Sequence, residues 1–230
     1  MNAQFGKQEM SPFGIIAIKG MKNILEGRKF EKDSISKYKE FIGEDIKDKL
    51  KRKYQDLSFS VNIFLGSFDS PSWQNSNGYF CNDDVFVREE YKDQNWVCQA
   101  IINGVWTKNR DENRAKTAKI NEIETKAKGN CQKIMEKFLF GKIYDQSLTG
   151  RDLGKILEET NESFKFDFGK EYTFFVNCVL IDKSKGTTEY GSYGNNNKEE
   201  DLVITETYTT DKTADKGIMG VVLASFFKIK

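Results

Sequence analysis

Between Leu57 and Leu65 the chain alternates strictly: Leu57, Phe59, Val61, Ile63 and Leu65 are interleaved with Ser58, Ser60, Asn62 and Phe64. A period of two puts the five apolar side chains on one face of a strand, so this segment belongs to a sheet with one covered face. The polar interleaving predicts that the other face is half exposed. Val85 to Tyr91 and Asn95 to Trp106 read as two further strands joined by a turn at Lys92-Asp93. Within the second, Trp96 to Ile102 is largely apolar on both faces, which marks a central strand.

Two segments change period from two to about 3.6. Asp33 or Ser34 can cap a helix running to about Tyr54, with Ile35, Tyr38, Ile42, Ile46 and Leu50 on one face. Asn109 or Asp111 opens a longer helix to about Phe140, along which Ile120, Ile123, Ala127, Cys131, Ile134 and Phe138 step by three and four. Gly129 inside it weakens it by about 1 kcal/mol relative to Ala. Ile123, Ala127, Ile134 and Phe138 are the expected partners of Leu57, Phe59, Val61, Ile63 and Leu65. Thr149-Gly150-Arg151-Asp152 has the form of a capping box for a short helix holding Leu153, Ile156 and Leu157. Phe13 to Ile18, Phe164 to Phe168, Tyr172 to Ile181, Leu202 to Tyr208 and Ile218 to Ile229 read as strands, with a tight turn at Gly169-Lys170.

The rest reads as connection. Residues 1–12 form a polar N-terminal arm, Gly66 to Asp84 a long loop, and 183–200 a flexible excursion rich in Gly, Asn, Thr and Lys. No internal repeat and no domain boundary is visible. The expected architecture is a single α+β domain over 13–230, mainly an antiparallel sheet with two longer helices packed on it, plus long loops.

Composition limits the chemistry. The 230 residues are 38% hydrophobic and 31% charged, which excludes a disordered acidic tail and a bundle of membrane helices. The longest apolar run, Ile218 to Phe227, is about half of the ~20 residues a bilayer span needs. No apolar stretch near Met1 resembles a secretory leader. Cys98, Cys131 and Cys178 sit in apolar-periodic segments and read as buried thiols, while Cys81 lies in a polar loop and is the one expected to react. Together these features place the chain in the reducing cytoplasm of the producing cell, with no membrane contact.

There is no histidine, which removes Ser-His and Cys-His nucleophiles and imidazole zinc sites. Gly141-Lys142 and Gly169-Lys170 are followed by Ile143 and Glu171, so neither is a phosphate loop with its hydroxyl. The acidic pairs Asp83-Asp84, Glu158-Glu159 and Glu199-Glu200 point to different sides of any strand or helix. No catalytic, metal-binding or cofactor-binding residue is assigned, and no cofactor is expected.

What remains is contact. From Lys19 to Lys53 there are twelve basic and seven acidic residues, in a chain whose net charge is only +1. Lys49, Lys51, Arg52 and Lys53 end that stretch and are candidate contacts for an acidic partner or a phosphate backbone. Phe5 in the arm, and Tyr190 and Tyr193 in the excursion, are candidate anchors on neighbouring subunits.

The element order is a basic amphipathic helix, strands, a long helix, then strands. Trp96 to Trp106 leads through Asn109-Arg110-Asp111-Glu112-Asn113-Arg114 into the long helix, and Phe164 to Phe168 and Tyr172 to Ile181 follow it. Over residues 34–181 this layout resembles bacteriophage tail-completion, or tail-terminator, proteins. In that family a sheet with helices packed on it forms a ring subunit at the end of the tail tube. The resemblance implies a non-enzymatic virion component of the tail or neck. Its partners would be copies of itself and other structural proteins. The alternative is a nucleic-acid-associated protein using the basic face at 19–53.

Overall fold

The structure, a computed structural model, describes residues 10–68, 73–80, 85–106, 120–184, 188–194, 201–210 and 217–228. Phe5 and Cys81, and the helix start at Asn109 or Asp111, lie outside these residues.

The first helix, α1 (Pro12–Leu25), occupies the segment that reads as an arm and a strand. Its start is set by two adjacent residues. Ser11 accepts a hydrogen bond from the Gly14 amide at 3.0 Å, and Pro12 at the first helical position loses no amide bond. Ala17, Met21 and Leu25 then share its buried face. A short 3-10 turn at Lys32–Ser34 leads into α2 (Ile35–Lys53), the helix the spacing predicts. Four strands follow: β1 (Leu57–Ser67), β2 (Trp73–Phe80), β3 (Val85–Lys92) and β4 (Trp96–Trp106). Thus the expected loop at 66–84 contains a strand.

The second half has the same order. Helix α3 (Ile120–Leu139) is followed by α4 (Gln146–Phe168), then β5 (Tyr172–Asp182), β6 (Thr188–Gly194), β7 (Leu202–Thr209) and β8 (Ile218–Lys228). Phe164 to Phe168, expected as a strand, is the last turn of the 23-residue helix α4. The Phe-x-Phe-x-Phe pattern fits both periods. Burial separates them: Phe164 and Phe168, four residues apart, stack on Phe226 at 4.9 and 5.5 Å, while Phe166 points outward. The expected short helix at Leu153 is the middle of this same helix. The excursion expected at 183–200 contains β6.

All strand pairs are antiparallel, in two four-stranded sheets ordered β3-β4-β1-β6 and β2-β5-β8-β7. The chain is thus two copies of an αα-ββββ unit, and each unit lends its second strand to the other's sheet. The ladders correspond without slip. Leu57↔Trp106 maps onto Tyr172↔Lys228, Val85↔Gly104 onto Leu202↔Phe226, and Asn62↔Ser192 onto Asn177↔Asn77. The helices correspond too: Met21, Leu25 and Gly27 have the spacing of Met135, Leu139 and Gly141, and the two glycines have φ of 74° and 71°. A left-handed residue just past a helix end favours glycine, so both connections turn the same way. The repeat is invisible in the sequence because it is one of residue class and register, with helices of 19 and 23 residues at one equivalent place.

The layers run helices, sheet, sheet, helices. Helices α1 and α2 cover the outer face of the first sheet, and α3 and α4 that of the second. Leu57, Phe59, Val61, Ile63 and Leu65 therefore pack against Ala17, Met21, Ile42 and Ile46, not against α3. Ile123, Ala127, Ile134 and Phe138 pack instead on the second sheet, with Phe174, Val176 and Phe226. The other face of β1 is not exposed: Leu57 to Gly66 are all buried, because the sheets lie face to face. An α+β fold with antiparallel sheet is what the sequence implies; the second sheet, helix α1 and the full length of α4 are not.

Strand exchange ties the halves into one folding unit. Phe59→Ala and Phe174→Ala, at equivalent buried positions, are each expected to cost about 3–5 kcal/mol. Chemical unfolding should show one transition, with tryptophan fluorescence, which reports on Trp96 and Trp106 in the first sheet and Trp73 in the second, coinciding with far-UV circular dichroism. Phe174→Ala should lower both midpoints together. Two separate transitions would show that the halves unfold independently.

Candidate functional site

Three places in this fold collect polar or charged groups: the space between the sheets, a cleft at the end of the first half, and a smaller cleft on the second.

Strand alternation decides what lies between the sheets. On β4, Asn103 is flanked two residues away by Ile101 and Val105; on β5, Asn177 by Phe175 and Val179; on β8, Ser225 by Leu223 and Phe227. The apolar neighbours form one cluster around Phe64, Ile101, Val179 and Leu223 and another around Val105, Phe175 and Phe227. A polar seam is interspersed with both: Asn62 stands opposite Ile101, Asn177 opposite Leu223 and Ser225 opposite Phe175. Ser225 Oγ donates to Ser60 Oγ at 2.7 Å across the sheets, and Asn103 Nδ2 to Ser60 Oγ at 3.4 Å. Asn62 and Asn177, equivalent in the two halves, have neither amide atom hydrogen-bonded among the described residues. Asn103 Oδ1 and Ser192 Oγ are also buried without a partner there. Each such group costs about 1–3 kcal/mol if left dry.

The larger cleft, about 690 Å³, lies between the α1–α2 connection and the β3–β4 turn. Asp93 builds the turn, accepting from the amides of Asn95 at 2.7 Å and Trp96 at 2.8 Å and from the Tyr91 hydroxyl at 2.9 Å. Trp96 Nε1 donates to the Arg28 carbonyl at 2.8 Å, and Phe30 packs on the Trp96 ring at 4.9 Å. These contacts pin the helix connection to the strand. Burial, and then the hydrogen bond to Asp93, push the Tyr91 hydroxyl up to about 12. The smaller cleft, about 310 Å³, is centred on Asp167, which accepts from Lys126 at 2.6 Å and from Asn130 at 2.9 Å. In both clefts the central carboxylate is committed to neighbours of the same chain, and among the described residues no three His, Cys, Asp or Glu side chains converge as a metal site.

The sequence-derived contact residues are scattered. Lys49 is paired with Asp45 at 2.6 Å and Lys47 with Glu44 inside α2. Lys51, Arg52 and Lys53 are exposed in the last helical turn, where cations complement the helix dipole whatever else they do. Tyr193 packs on the first core, and any Cβ at Gly43 would overlap its ring, so α2 and β6 meet through this residue. Tyr190 packs on the inter-sheet cluster containing Phe64. Both tyrosines are thus committed inside the chain because their segment is a strand, not a loop. Cys98, Cys131 and Cys178 are buried free thiols. No helix among the described residues is long and apolar enough to cross a membrane.

A different set of surface residues stands out. Phe140, Ile143 and Phe166 are 74%, 76% and 89% exposed. The first two flank Gly141 in the α3–α4 connection. The equivalent positions around Gly27 are Glu26 and Lys29, so the turn itself has no need of apolar side chains. Sequence reading assigned Phe140 to the end of an amphipathic helix; only the comparison of the halves separates it. The sequence matches no protein-family model and no curated protein.

Burial raises the Cys98 and Cys178 thiols and pushes Cys131 up to about 12. In the native protein none of the three should react with a thiol reagent at pH 8, and all should react after denaturation. Fast labelling of Cys98, Cys131 or Cys178 in the folded state would contradict their placement. Tyr91 gives a pH prediction. Its hydroxyl keeps its proton to about 12 in the folded protein and to about 10 when unfolded. Its contribution is therefore complete below pH 10 and is lost as pH rises from 10 towards 12. Denaturation midpoints of Tyr91→Phe should fall less steeply across that window than those of the wild type.

Proposed function

We propose that this is a non-enzymatic assembly protein that works through contacts of its outer helical layer with other protein subunits. The observation that supports this reading is the pair Phe140 and Ile143. The same turn in the first half places charged residues there, so the two halves act as each other's control for what the fold requires. Exposed aromatic and branched side chains that the fold does not require are the surface signature of a protein contact. Phe166, nearly fully exposed on α4, has the same character.

A tail or neck ring of a virion remains the specific setting we propose, with copies of this chain as the first partner. The element order behind that resemblance is altered, since α4 stands where a strand was expected. The ring therefore rests on oligomerisation rather than on layout. The basic end of α2 needs no nucleic acid to account for it.

Light scattering coupled to size exclusion tests the reading. The wild type is expected to form a discrete oligomer. Phe140→Ser/Ile143→Ser should weaken it by about a hundredfold or more, since each buried side chain of this size contributes about 1.5–3 kcal/mol. Circular dichroism should stay unchanged. A wild type that stays monomeric at all concentrations overturns the ring.

A further inference from the structure

We propose that the polar seam between the two sheets is an internal hydration site, holding a small cluster of ordered water molecules between Asn62, Asn103, Asn177 and Ser192. The argument starts from burial. Asn62, Asn103 and Asn177 are each at most 1% exposed, and Asn62 and Ser192 stand opposite each other on adjacent strands β1 and β6. Five carboxamide atoms and one hydroxyl there have no hydrogen-bond partner among the described residues.

The chemistry of these groups selects the occupant. Three carboxamide oxygens accept, two amide groups donate, and a hydroxyl does either, so donors and acceptors are mixed and all are neutral. An ion would sit there without a counter-charge in a low-dielectric interior. An apolar molecule would leave every polar atom unmet. Water matches a mixed neutral lining, and a buried water makes about three hydrogen bonds, so six orphan atoms call for roughly two to four molecules. Both halves contribute: Asn62 comes from the first and Asn177, its equivalent, from the second, and strand alternation turns both into the gap between the sheets. The apolar clusters around Phe64 and around Phe227 surround these groups.

A crystal structure of the full chain at high resolution is expected to show ordered waters bridging these side chains. Direct side-chain hydrogen bonds with no density between the sheets would overturn the proposal, as would density for a larger molecule. Oxygen-17 relaxation dispersion of the solvent counts long-lived internal waters in solution. Asn62→Leu/Asn177→Leu should remove a measurable part of the dispersion while circular dichroism is retained. Should that variant not fold, Asn177→Leu alone should give a smaller loss. A folded variant with dispersion equal to wild type overturns the assignment.

Discussion

The rest of the structure depends on an exchange of strands. β2 completes the sheet of the second half and β6 that of the first, so neither sheet has its four strands until both halves are in place. The exchanged strands sit next to β5 and β1. α4 packs across β2 and β5, and α2 across β6 and β1, so each helical layer also depends on the borrowed strand. These pairings join residues far apart in the chain, which makes closure slow and late. Each exchanged strand is itself an edge of the sheet it completes; the opposite edges, β3 and β7, carry Arg88, Glu89, Glu90 and Lys92 on one and Thr205, Glu206 and Thr207 on the other. Charged and polar edge strands resist pairing with further sheets.

Between the sheets, apolar and polar layers have separate consequences. The clusters around Phe64 and around Phe227 hold the sheets together. The seam interspersed with those clusters fixes how they register. A slip of one residue in β1 would turn Asn62 onto the helix face and Val61 into the gap, exchanging a polar group for an apolar one in both layers. The Ser60–Ser225 hydrogen bond is the direct polar tie across the gap.

The two halves agree where they are buried and differ where they are exposed. Phe59 and Phe174, Val61 and Val176, and Leu65 and Leu180 are identical pairs facing their helices. Outside, Glu26 and Lys29 stand where the second half has Phe140 and Ile143, and Lys51 lies two residues before the end of α2 as Phe166 does before that of α4. Packing holds the first set to type because a sheet-to-helix contact tolerates little change in volume. No packing of this kind constrains the second set, and there the halves differ in chemistry.

The sequence by itself determined which segments are amphipathic and at what period. The alternation at Leu57 to Leu65, the strands from Val85 to Trp106, the helical face of Ile35 to Leu50 and the three buried cysteines are all local patterns, and each is found where expected. Local ambiguity produced two of the errors: Phe164 to Phe168 satisfies both periods, and Phe13 to Ile18 is helical because Ser11 and Pro12 cap it. The remaining features were decided only in three dimensions. An apolar face does not say which helix covers it, and a polar strand in a Gly-rich segment does not say that a distant strand will accept its hydrogen bonds. The pairing of β6 with β1, the commitment of Tyr190 and Tyr193 to the core, and the burial of Asn62 and Asn177 between the sheets follow from long-range register. Register between distant strands is set by the sum of contacts across the whole sheet, and no local spacing carries that sum.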